Sequence, residues 1–471
     1  MNQRNVQSKA SRGVMNYAVV RARDLIVAVL CVLPPLYLSN RLSTLHTVTD
    51  SKWLVVIFLS GCEIFLIVLA AAMSPNKFRR AREPLNLALV AGATMFAVTH
   101  LFSALHCREP GFAFRAMVPS LSLVVLFGAI VWQPASPYQI CKFTILILAT
   151  GALIGTCAIA QHFGFDPLAR LVRYREADRY RTGAFVTLAN PEYLGGYLTV
   201  PALISLGLIL ASRSWQRRCA ALAAAMLTAI PAFLSGSRGP FLGMAAGVIF
   251  LSVGSMVTAP RSSRQRRLGG LAAGSALVTL VAIVLFAGSP IKPIGLMRAR
   301  LADLADPHSD SVRKRIVFNL VGLKMVAGHP VLGVGPGMFG VEFYPTFLSL
   351  AHSSRNATMD VVARDLHGIV AEHAHNDWLE IWAETGTVGF AAWFWIVALW
   401  TVGVFRGLAR RSGQPGDRLF ALALASAAIA LLVNAFFNFP LHEPVRATLF
   451  WLTLAWSHSL ASSNDGHLGE S

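Results

Sequence analysis

Trp53–Met73, WLVVIFLSGCEIFLIVLAAAM, is about 20 residues long and carries a single charged group, Glu63. That is the length an α-helix needs to cross the hydrocarbon core of a bilayer, where every backbone polar group must be satisfied within the segment. Similar runs recur along the 471 residues, which are 55% hydrophobic with a formal net charge of +18. Twelve spans are expected, near 24–39, 53–73, 87–105, 114–133, 140–160, 186–210, 219–235, 240–258, 270–288, 386–404, 418–437 and 446–461. Pro34 and Pro35 weaken the first. The polar SGSRG before Pro240 separates the seventh from the eighth. The expected fold is an all-α polytopic membrane protein with one long outer segment between its ninth and tenth helices. The parts are a basic tail (1–23), nine spans (24–288), an outer segment (289–385), three spans (386–461) and a second tail (462–471).

Short loops place their Lys and Arg on the cytoplasmic side. With the N-terminus inside, the inner segments hold clusters such as Lys77, Arg79, Arg80 and Arg82, and Arg261, Arg264, Arg266 and Arg267. The short outer loops hold isolated cations, Arg238 and Arg446 among them. Two outer stretches break this pattern. Residues 161–185 carry Arg170, Arg173, Arg175, Arg179 and Arg181, and 289–385 carries nine basic groups. Long loops translocate regardless of charge, and a basic stripe can simply hold anionic headgroups. An anionic substrate on the outer face is the other explanation.

Other classes find little support. The six cysteines lie in or beside spans with no CxxC pair, so they are packing residues. No phosphate-binding glycine loop follows a strand, and the basic charge is spread over membrane loops. Neither a nucleotide domain nor nucleic-acid binding follows.

The outer segment 289–385 is the only place with room for a soluble subdomain. Val317–Val326 reads as an amphipathic helix, apolar at Val317, Leu320, Val321 and Met325, stopping before His329-Pro330. HPVLGVGPGMF (329–339) must be a loop with special backbone angles. In AEHAHNDWLEIWAETGTVGF (371–390), Asn376 or Asp377 caps a helix that Gly386 ends. His375 therefore stands at a helix N-terminus, where positive partial charge and free N–H groups favour anions. His373 and His375 form an H-x-H pair with Glu372, Asp377, Glu380 and Glu384 nearby. No third ligand stands at a metal-binding spacing, and the surrounding arginines oppose a divalent cation, so no metal and no cofactor is expected.

Several of these stretches resemble one family. His375-Asn376, Leu379, Glu384 and Gly386 are similar to the H-N-x-x-L-x-x-x-x-E-x-G signature of the O-antigen ligase and polymerase superfamily. His329–Gly337, with Gly333 and Gly335, resembles its HPLxGxGxG element. Ser237-Arg238-Gly239 resembles its SRG turn, and the run from Arg181 through Asn190 to Gly195 resembles its entry into a span. Arg315 stands where the family has an arginine four residues before an aromatic, with Asn319 in the aromatic's place and Arg313 a rival.

The resemblance implies a metal-independent, inverting glycosyltransferase of the inner membrane, working on the periplasmic face. Its donor is a glycan on undecaprenyl pyrophosphate, and for a ligase its acceptor is lipid A–core. His375 is then the general base. Arg238 and Arg315, with Arg313 and Arg181, bind the pyrophosphate, since arginine is permanently charged and bidentate toward phosphate. Arg170, Arg173, Arg175, Arg179 and His442 are candidates for the acceptor. A polymerase and a protein O-oligosaccharyltransferase share these motifs. A lipid-linked-glycan flippase is the alternative of a different class, although internal repeats are missing and Glu63 is the clearest charge within a span.

Overall fold

The computed structural model describes residues 3–37, 45–73, 83–168, 184–258, 310–353, 371–409 and 415–462. Among them there are thirteen α-helices and no strand. In chain order they are α1 (Gln3–Leu36), α2 (Leu45–Met73), α3 (Pro84–His106), α4 (Pro110–Trp132), α5 (Pro137–His162), α6 (Pro191–Ala211) and α7 (Trp215–Leu234). Then come α8 (Arg238–Thr258), α9 (Asp310–Gly328), α10 (Phe339–Ser353), α11 (Asp377–Ala409), α12 (Pro415–Asn434) and α13 (Pro444–Ser462). Six of them open on proline, whose fixed φ and missing N–H suit a helix start. Ser136 adds a full capping box with Gln139 at the start of α5.

Nine of the described helices are long and apolar enough to cross a membrane, and the chain is a multi-pass membrane protein. They coincide with nine of the twelve expected spans. The expected span 270–288 lies outside the described residues. The first and last expected spans form helices that fall short on apolar composition. The reason is plain for α13. It runs through the middle of the bundle with nearly every residue buried, packed by α2, α4, α6, α11 and α12. A helix shielded from lipid can carry Arg446, Thr453, Ser457 and His458, which a lipid-facing helix cannot. By contrast, α2 turns Leu54, Phe58, Phe65 and Val68 outward.

Small residues let the central helices touch. A Cβ on Gly243 would stand 2.3 Å from the Ala430 carbonyl oxygen, and one on Gly207 would stand 2.2 Å from the Ala423 Cβ. Close approach of this kind gives helices in lipid their packing energy. Glu63, the charge expected within a span, is buried and paired with Arg23 of α1 at 2.8 Å. Lys52, expected in a loop, is buried in α2 and donates to the Thr187 carbonyl at 2.9 Å.

The expected amphipathic helix is α9, which buries Val317, Val321 and Met325 against α10 and α11. The stretch from 341 to 353, featureless in sequence, continues α10.

Candidate functional site

The site is organised by a break in α11. At Gly386 the backbone takes φ 65° and ψ −173°, a region essentially reserved for glycine. Gly386 thus ends the first turns, as expected, yet the chain runs on into the membrane-spanning part with little interruption. The break frees the carbonyls of Ala383 and Glu384. The 329–339 loop answers them: Val334 N–H donates to Ala383 O at 2.9 Å, and Gly335 N–H to Glu384 O at 3.0 Å. In return Thr387 N–H donates to Pro330 O at 2.8 Å. The special angles expected of this loop fall on Gly333, Gly335 and Gly337, with φ of 73°, 113° and 70°. A Cβ on Gly333 would stand 2.4 Å from Glu384 O, and one on Gly337 would stand 2.3 Å from Ala116. The Glu384 carboxylate accepts from Phe339 N–H at 3.1 Å, at the start of α10. The signature glutamate and glycines are therefore the two halves of one joint.

Before this joint stands His375. Asn376 is the residue that caps α11: its side-chain oxygen accepts from Leu379 N–H at 3.3 Å and its carbonyl from Glu380 N–H at 2.9 Å. His375 has φ 53°, a left-handed angle unusual for a non-glycine residue. Its ring stacks on Phe318 at 5.9 Å and meets Phe439 edge-on at 5.0 Å, and its Nδ1 has no hydrogen-bond partner in the protein. Burial first, and then the charge of Arg315, lower its pKa to about 4; Arg446 acts in the same sense. His375 is a neutral imidazole under arginines. Phe318 supplies the aromatic that Asn319 does not, one residue earlier and on the helical face turned to His375.

Asp377 has a role the sequence did not disclose. Its N–H donates to the carbonyls of Ala435 and Asn438, and its carboxylate accepts from Leu441 N–H at 2.8 Å and holds His442 Nδ1 at 2.6 Å. The 435–446 segment is thereby docked onto the start of α11. Glu380, one turn on, holds His373 Nδ1 and Ala374 N–H, both at 2.7 Å. Burial opposes charge on His442, but Glu380 and Asp377 outweigh it and push its pKa up to about 10. His442 is therefore a fixed cation clamped between carboxylates. It also lines a cavity with His100, Glu384, Trp393 and Trp451.

Metal ligation changes accordingly. The H-x-H pair does not converge, because His375 faces Phe318 while His373 faces Glu380. His373, Glu380 and His442 are the group whose ligand atoms lie within 4.8 Å of one another. Their contacts are those of an ion-pair chain, with Asp377 holding His442 from behind.

The other expected residues divide. Arg238 opens α8 and is buried, with Ser237 just before it. Its neighbour Gly239 lies against Asn434, which a Cβ there would approach to 2.4 Å. Arg315 reaches the surroundings of His375. Asn190 is a helix cap, accepting from Glu192 N–H at 2.8 Å. Arg170, Arg173, Arg175, Arg179 and Arg181 lie outside the described residues. Arg446 closes the run NFPLHEPVR (438–446), which the sequence marked either as lining the same cavity or as a kinked interfacial turn, without giving Arg446 a role. It is fully buried, lies 4.5 Å over the Tyr193 ring, and Asn434 is close by.

The comparisons agree with this layout. No curated protein matches the chain. A family model described as O-Antigen ligase matches residues 221–394, from within α7 through Arg238, Arg315, the glycine loop and His375 to beyond the break at Gly386. Over those residues, well under half of the chain, the protein is similar to the O-antigen ligase family.

Proposed function

We propose that this protein is an O-antigen ligase of the bacterial inner membrane. It passes a polysaccharide from undecaprenyl pyrophosphate to a sugar hydroxyl of lipid A–core on the periplasmic side. The observation that carries this reading is His375: neutral, nearly buried, stacked on Phe318, and overlooked by Arg315 and Arg446. A neutral imidazole accepts the proton of the acceptor hydroxyl as its oxygen attacks the anomeric carbon. The bond from that carbon to the pyrophosphate oxygen breaks, and the negative charge on the leaving group falls to the arginines. One displacement inverts the anomeric centre, and no second carboxylate is needed.

Donor binding also arms the base. Arg315 holds the His375 pKa down. A pyrophosphate beside these arginines offsets their charge, so the imidazole becomes more basic once the donor is in place. Asp377, Glu380 and His442 hold the segment that carries His375, and Glu384 holds the glycine loop.

The test is reconstitution. Purified protein given a lipid-pyrophosphate-linked polysaccharide and lipid A–core should yield the conjugate without nucleotide. Deleting the gene should leave polymer on the carrier lipid and bare core on lipid A. If deletion shortens the chains while single repeats still reach the core, the protein is a polymerase and the ligase reading is refuted.

A further inference from the structure

Arg446 is a buried cation with four of its five guanidinium N–H donors unspent. Its Nε donates to Glu443 Oε2 at 3.2 Å. Nη1 and Nη2 have no partner in the protein, and the side chain is completely enclosed. Beside it the Asn434 amide is buried with neither its nitrogen nor its oxygen paired, and Asn438 Nδ2 is likewise unpaired. Arg446 and Asn434 share one neighbourhood, and Asn438 lies on the segment that leads into Arg446. A Cβ on Gly196 would stand 2.8 Å from Arg446 Cδ, 3.2 Å from Asn434 Nδ2 and 3.3 Å from Arg446 Nη1, so both side chains pack against this glycine. On its other side Asn434 lies against Gly239, next to Arg238 at the N-terminus of α8.

Buried polar groups are almost always paired, and charged ones most of all. Here several donors are orphaned together. A guanidinium with both terminal nitrogens unused presents a flat fork that matches two oxygens of one phosphate. The amide nitrogens of Asn434 and Asn438 and the first turn of α8 would add further donors of the right sign.

We propose that Arg446, Asn434 and Asn438 form an inner phosphate subsite, continuous with Arg238, that takes one phosphate of the donor's pyrophosphate. The proposal rests on the reading of the protein as a lipid-pyrophosphate glycosyltransferase and adds to it the residues that receive the leaving group. Negative charge grows on that phosphate as the glycosidic bond breaks, and a preorganised fork in a water-poor site stabilises it most at that moment. Phe439 is the partition. Its ring stands 5.9 Å from that of Tyr193, which carries Arg446, and 5.0 Å from that of His375. A swing of this one ring joins the base to the subsite. The position of Arg446 on the central helix holds the fork still, because α13 is packed on all sides.

The phosphoryl chemistry could come from the donor or from an anionic lipid headgroup, and the experiment separates them. Farnesyl pyrophosphate is titrated into the purified full-length protein in nanodiscs of zwitterionic lipid, with binding read by calorimetry and by the shift in melting temperature. Wild type should bind and be stabilised. Arg446→Gln should weaken binding at least tenfold, and Arg446→Lys nearly as much, because a point charge lacks the fork. Gly196→Ala removes no charge but presses a methyl against the Arg446 side chain, displacing the fork, and should weaken binding similarly. Circular dichroism and the melting temperature without ligand report whether each variant is folded. If folded Arg446→Gln and Gly196→Ala bind like wild type while Arg238→Ala does not, the subsite is wrong and the ligase reading stands. If phosphatidylglycerol in the nanodisc displaces farnesyl pyrophosphate at comparable concentration, the site is a headgroup site and the proposal is overturned. If wild type binds no prenyl pyrophosphate, both fall.

Discussion

Replacing Gly386 with alanine should unseat the glycine loop and stop glycan transfer without touching a catalytic group. The residue sits at φ 65°, ψ −173°. Holding a non-glycine residue there costs about 1–3 kcal/mol. The added Cβ would also stand 2.2 Å from the Val331 carbonyl oxygen and 2.6 Å from Gly333 N, both backbone atoms that cannot swing aside. The loop must therefore move off the helix. Three hydrogen bonds go with it: Val334 N–H to Ala383 O, Gly335 N–H to Glu384 O, and Thr387 N–H to Pro330 O. At about 1 kcal/mol each they bring the total to roughly 4–6 kcal/mol. The assay pairs lipopolysaccharide gels from cells carrying only the variant with the melting temperature of the purified protein. Gly61→Ala is the control, since a Cβ there meets nothing within 4 Å and alanine suits a helix interior better than glycine. Gly61→Ala should match wild type or be slightly more stable. If Gly386→Ala keeps both the melting temperature and the transfer of the control, the break and the loop are not one joint, and the account of the signature glycines fails.

His375→Ala should abolish transfer while leaving the melting temperature near that of wild type; near-full transfer would remove it as the base and leave His373 as the next histidine to test. Arg238→Lys and Arg315→Lys should be almost as inactive as the alanine variants, because lysine cannot make the bidentate contact; a fully active Arg238→Lys would argue against phosphate binding there. The kcat/KM of wild type should be flat from about pH 6 to 8, with its acid limb near the free protein's pKa of about 4 rather than at the ordinary 6.5, while the acid limb of kcat lies higher because bound donor offsets the arginines. The sign for stability follows: as pH falls below 6.5 the unfolded chain takes up a proton that folded His375 refuses until about pH 4, so this group destabilises the fold progressively over that window. A kcat/KM profile with its midpoint near 6.5 would mean that His375 is not buried beneath Arg315. Transfer should survive EDTA; loss on chelation with rescue by zinc would turn His373, Glu380 and His442 into a metal site.

Much of this was legible in the residues because it is local. Helix ends are set by proline, asparagine and glycine within one turn, so a cap at Asn376 or Asp377 and a break at Gly386 could be read directly, and the structure chose Asn376. Positive φ at Gly333 and Gly335 followed from a run too rich in glycine to be regular. Span lengths followed from apolar composition wherever a helix faces lipid. The span expected at 446–461 is the helix α13, which tolerates polar residues because it is surrounded by protein. Phe318 escaped for a smaller reason, since the phase of α9 decides which of two adjacent residues points at His375.

The sequence by itself determined a multi-pass helical protein and His375 at a helix start. Only the tertiary structure decided which polar groups meet. Asp377 and His442 are 65 residues apart, and Ser103 donates to the carbonyl of Glu384 across 281. Arg446 gained its place over Tyr193 only because α6 and α13 cross at small residues such as Gly196. Such meetings depend on how whole helices pack, with contacts summed over many residues of both partners. No window along the chain contains that information.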